Sequence, residues 1–169
     1  VGRHKPGKPR RSSKDPHDHP GVHLEELPHS DGPDADDALF AAVTGAALAR
    51  CTSCQDVTLT LLVEDPATCA RLVELACGAM IEAEGSPPPN QTDPDLPGLA
   101  SLSFRRLARA GQGATAHAMH EECERMTARE RRDAANTALD TIVGYAYLPP
   151  GGLAGLRRQH MRLGGNSAL

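Results

Sequence analysis

Apolar residues recur at intervals of three and four along most of the chain from Phe40 to Val143, the spacing of one face of an α-helix. In "DGPDADDALFAAVTGAALARC", Phe40, Val43, Ala47 and Cys51 keep that spacing and predict a first helix over about 35–50. Asp34 stands where a capping residue belongs, and Asp36 and Asp37 favour the electropositive first turn. "DPATCARLVELACGAMIEAEG" predicts a longer helix with Asp65 as cap, Pro66 at the first helical position and Gly85 as the stop. Cys69, Val73, Ala76, Cys77 and Met80 share one of its faces, while Arg71, Glu74, Gly78 and Glu82 share the other.

Between these two lies "SCQDVTLTLLVED", which fits two periods. The alternation from Val57 to Leu61 is that of a strand. No other segment offers a partner, and a lone strand leaves its backbone unpaired. Ser53 and Asp56 also match a capping box. A short helix over 54–64 is therefore the expectation.

Farther along, "SPPPNQTDPDLPG" interrupts every period and predicts a stiff, non-helical connector over 86–98. "SLSFRRLARAG" predicts a short helix ending near Gly111, and "TAHAMHEECERM" another, with Ala116, Met119, Cys123 and Met126 as its apolar stripe. Thr127 and Glu130 form a capping box for a last long helix, in which Ala135, Ala138, Leu139, Ile142 and Val143 face inward until Pro149 and Pro150 end it. The expected architecture is all-α: a small helical bundle or orthogonal helical domain of about five to six helices over 34–148. A disordered tail is expected over 1–33, and a C-terminal tail or short basic amphipathic helix over 149–169.

Composition narrows this picture. The chain has 169 residues, enough for one domain, and only two Phe, two Tyr and no Trp. With so few large aromatics, the core must be Leu, Val and closely packed Ala, which favours helices and makes self-association a useful source of further burial. The formal net charge of −4 gives no overall attraction to nucleic acid. The basic residues of 1–14 offer only salt-sensitive, sequence-independent contact. No apolar run is long enough to span a bilayer and no apolar segment follows the basic start, so a cytoplasmic location is expected.

Candidate chemistry centres on Cys51 and Cys54 in "RCTSCQD". C-x-x-C spacing suits a zinc clamp, a redox pair or plain packing. Cys69 and Cys77 lie eight positions apart on one predicted helix, about 12 Å along its axis, so they cannot share an ion. The zinc set that remains is Cys51 and Cys54 with His117 and His120, or with His120 and Cys123. For redox chemistry, Cys54 would begin a helix whose dipole favours its thiolate, although in thioredoxin-like proteins the reactive thiol comes first. Packing accounts for all five cysteines at once, since each continues an apolar stripe. "DPHDHPGVH" brings His17, His19 and His23 together in a polar stretch suited to weak divalent-ion binding or to simple solvation.

P-loop, dinucleotide-binding, serine-hydrolase and zinc-protease motifs are all absent. The expected function is a non-catalytic helical accessory or interaction protein with a protein partner or a second copy of itself. The alternative is a small zinc-binding or thiol-switch regulatory protein using Cys51 and Cys54. No cofactor is expected under the first reading, and zinc under the second.

Overall fold

In the computed structural model, which describes residues 17–112 and 116–146, a 3-10 turn at Leu24–Glu26 precedes seven α-helices. These are α1 Asp37–Leu48, α2 Thr52–Leu62, α3 Pro66–Glu84, α4 Pro89–Thr92, α5 Leu102–Gln112, α6 Ala116–Arg125 and α7 Ala128–Ala146. No strand occurs among the described residues, so the all-α expectation holds. The basic segment 1–14 and the C-terminal segment 149–169 lie outside the described residues.

Helix α3 is the hub, packed along α7 and α6, while α5 bridges α6 and α7 and α1 packs on α2. Cys69, Leu72, Val73, Ala76 and Met80 of α3 are buried against Ala134, Ala135, Ala138, Leu139 and Ile142 of α7. Alanines at that seam let two helix backbones approach closely, which stands in for missing aromatic bulk. Phe40 and Phe104 are both completely buried. No described helix is long and apolar enough to cross a membrane.

Local signals set most helix ends. Asp65 accepts hydrogen bonds from the Ala67 and Thr68 amides, and Gly85 ends α3 at φ +78°, a left-handed turn that glycine adopts without strain. Thr127 and Glu130 complete the expected capping box: Thr127 N–H donates to Glu130 and Glu130 N–H donates to Thr127 Oγ1. Arginines at the start of α7 are used inside the protein. Arg131 donates to the carbonyls of Val63 and Met126, and Arg132 bonds Asp56.

Four expectations need correction. Asp36, not Asp34, caps α1, accepting from Leu39 N–H at 3.0 Å, because the helix begins at Asp37 and Asp34 is two positions too early. Helix α2 starts at Thr52 with Cys51 as its N-cap, so Ser53 lies inside the first turn and the Ser53–Asp56 box does not form. Within α2, the β-branched Thr58 and Thr60 donate their hydroxyls back to the carbonyls of Cys54 and Asp56. The proline-rich connector is not wholly irregular: Pro89 begins α4, since a first-turn proline loses no helical hydrogen bond. Buried Arg105 on α5 holds this connector through the carbonyls of Asp93 and Leu96. Finally, the stretch expected to be a tail divides. Residues 1–16 lie outside the described residues, whereas 17–33 run along the helices as an arm, with Val22 buried.

Candidate metal centre

The end of α1 sets the position of Cys51. Arg50 adopts a left-handed φ of +55°, while its N–H donates to Ala47 O and that of Cys51 to Ala46 O. These two bonds form the paired closure that ends many helices, with arginine where glycine is usual. The chain then turns at once into α2. Cys51 is its N-cap and Cys54 follows in the first turn, three positions on, so both half-buried sulfurs stand on one side of the corner.

Opposite them lies the arm, and its seating depends on two glycines. A Cβ on Gly21 would stand 1.7 Å from Ala41 O, and one on Gly45 would stand 2.4 Å from His19 O. Only hydrogen at both positions permits this approach. Val22 N–H donates to the buried Thr44 Oγ1 at 2.9 Å. Asp37 accepts from Leu24 N–H at 2.6 Å and bonds His23 Nδ1 at 2.9 Å. That bond raises the His23 pKa above 6.5, with Glu25 and Glu26 adding to the effect, and lowers that of Asp37 below 3.8. The arm is thus fixed in register by backbone contact and by a charged clasp.

This register carries His17 and His19 to the cysteine corner. His17, His19, Cys51 and Cys54 each offer a ligand atom, and all four atoms lie within 4.8 Å of one another. His17 Nδ1 is 3.2 Å from Cys54 Sγ and 3.8 Å from Cys51 Sγ. In tetrahedral zinc sites, bonds of ~2.0–2.3 Å separate neighbouring ligand atoms by roughly 3.3–3.8 Å. The two rings meet edge to face at 6.3 Å, and His19 Nε2 is buried without a hydrogen-bond partner. An unpartnered buried nitrogen costs desolvation that a bound cation would repay.

Electrostatics set Cys51 apart from Cys69 and Cys77. Hydrogen bonds from Ser53, from the Cys54 amide and from His17 lower the Cys51 pKa to about 5, favouring the thiolate that ligates soft metals. Burial pushes Cys77 up to about 12, in the wall of an apolar cavity of about 280 Å³ beside α3. Cys69 and Cys123 are free, fully buried thiols of α3 and α6; the hydrogen bond between them, together with burial, raises the Cys69 pKa. Packing therefore describes Cys69 and Cys123 well and the Cys51–Cys54 corner poorly.

His117 and His120 are not members of the cluster, which is the one such group among the described residues. They face Glu121 and Glu124 one turn ahead, each at 3.4 Å. His120 borders Ser30 and Gly32 at another part of the arm. The Cys123 alternative is closed to them too, since its sulfur is committed to the core. His17 and His19 were visible in "DPHDHPGVH", but composition alone reads that segment as solvated. Gly21 within it was the available signal that the stretch docks. Comparison with known protein families, with curated proteins and with solved structures finds no match to this chain.

Proposed function

We propose that this is a non-catalytic helical protein that binds one zinc ion through His17, His19, Cys51 and Cys54. The convergence of four ligand atoms from two segments within 4.8 Å carries this reading. Two sulfurs and two imidazole nitrogens are a common structural zinc set, and four protein ligands leave no open position for a substrate or an activated water. The ion would fasten the arm to the α1–α2 corner, adding binding energy to a contact otherwise held by a few hydrogen bonds.

Metal content of the purified full chain, with cobalt substitution as a spectroscopic probe, tests the proposal. One equivalent of zinc and a tetrahedral thiolate–cobalt spectrum are expected. Both should be lost in Cys51→Ser with Cys54→Ser and kept in His117→Ala with His120→Ala. A zinc-free protein that also fails to take up zinc or cobalt would reject the reading.

A role as an interaction protein is a second reading, favoured by Val57 and Leu61. These lie one turn apart on α2 and are 63% and 58% exposed. Such a pair offers an apolar contact to a partner or to a second copy. Sizing of wild type against Val57→Ser with Leu61→Ser checks the second-copy form of this reading, which requires association in the wild type only.

A further inference from the structure

Resting on that metal reading, we propose that Cys51 and Cys54 form a peroxide-sensitive release for the bound zinc. Three features of the corner support it. The two sulfurs lie within 4.8 Å of one another in a half-buried position, whereas Cys69 and Cys123 are sealed in the core. Cys51 is the N-cap, with extended backbone at φ −86° and ψ 91°. Its sulfur can therefore swing toward Cys54 while the first turn of α2 keeps its hydrogen bonds. A disulfide needs the sulfurs ~2.05 Å apart, which this side-chain rotation supplies without unwinding the helix.

The chemistry balances with one equivalent of hydrogen peroxide. The two thiolates lose one electron pair and gain a sulfur–sulfur bond. The peroxide oxygen–oxygen bond breaks, takes up that pair with two protons, and leaves as two waters. Zinc keeps its oxidation state throughout. Having lost both sulfur ligands, it is left with the His17 and His19 nitrogens and departs. The start of the arm then keeps its Val22–Thr44 bond and the Asp37 clasp but has lost its metal tie to the corner. Reduction regenerates the thiolates, so the cycle is reversible.

The test uses the zinc-loaded full chain with one equivalent of hydrogen peroxide. Released zinc is followed with a chromogenic chelator, cysteine state by peptide mass mapping, and the arm by amide exchange over 17–24. One zinc released per Cys51–Cys54 disulfide is expected, with faster exchange in the arm and recovery on adding dithiothreitol and zinc. Cys77→Ser should release zinc at an unchanged rate. Retention of zinc with both thiols still reduced under excess peroxide overturns the release and leaves the metal reading intact. So does zinc loss with Cys51 and Cys54 unlinked. A chain that never binds zinc overturns both.

Discussion

The ring of His17 meets the sulfur of Cys54: Nδ1 and Sγ are 3.2 Å apart although 37 positions of chain separate them. Neither residue is held there by its own element alone. Cys54 is aimed by the tight closure of α1 and the immediate start of α2. His17 is aimed by how residues 19–24 lie on α1. Most of the behaviour expected of this protein follows from that dependence.

Gly45→Ala is expected to destabilise the fold, although the same change inside an exposed helix usually stabilises by about 1 kcal/mol. The new methyl would press on His19 O at 2.4 Å and lift the arm. Zinc affinity should fall roughly 10–100-fold, the range for lost support around metal ligands. Gly78→Ala is the matching control, because nothing lies within 4 Å of its added Cβ. That variant should gain up to about 1 kcal/mol in denaturant unfolding with zinc affinity unchanged.

Asp65→Ala should cost about 1–2 kcal/mol in the same unfolding experiment. It removes the acceptor of two α3 amides and of the Thr68 hydroxyl, which Asp65 holds at 2.6 Å. Thr68 Oγ1 in turn receives the Asp36 amide at 2.8 Å, so the start of α1 should loosen as well. A loss well under half a kcal/mol would show that water replaces the cap.

The clasp between His23 and Asp37 should be pH-dependent in both directions. Because the His23 pKa is raised, its contribution is complete below its ordinary value of 6.5 and fades as pH rises through the raised one. Because the Asp37 pKa is lowered, its contribution is complete above 3.8 and fades as pH falls through the lowered one. Both groups are charged together between those two ordinary values, where protection of the Leu24 amide should be greatest. An NMR titration should place His23 above 6.5 in the wild type and return it toward 6.5 in Asp37→Asn. An unchanged titration in that variant would remove the clasp from the account.

Alkylation of the metal-free protein should select among the thiols. Cys51 should react first, and its rate should decline only as pH falls through about 5, since the thiolate is the nucleophile. Half-buried Cys77, its pKa pushed to about 12, should react far more slowly, and the fully buried Cys69 should resist until the chain unfolds. Mass mapping after brief iodoacetamide treatment gives the order directly. Labelling of Cys77 ahead of Cys51 would contradict the raised pKa of the one and the lowered pKa of the other.

The helices were legible in the sequence because their determinants act over one turn or less. Asp65 before Pro66, the Thr127–Glu130 box and the three-and-four spacing of Phe40, Val43 and Ala47 are contacts between near neighbours. A linear pattern records such contacts. The misplaced cap at Asp34 and the mistaken box at Ser53 belong to the same class, each off by two residues where several capping side chains crowd together. Cys51 and Cys54, too, were recognisable as a pair from their spacing.

Their partners were not. Tertiary structure alone decided that the pair faces His17 and His19 and not His117 and His120, because that choice depends on close approach between distant segments. Gly21 must meet the Ala41 carbonyl, Gly45 must meet that of His19, and Thr44 must take the Val22 amide. Each contact is steric or directional over a few ångströms and spans at least 20 positions of chain, so no local period encodes it. Sequence by itself determined the long helices and which residues have metal-ligating chemistry. Packing of the arm on α1 determined which of those residues share one site.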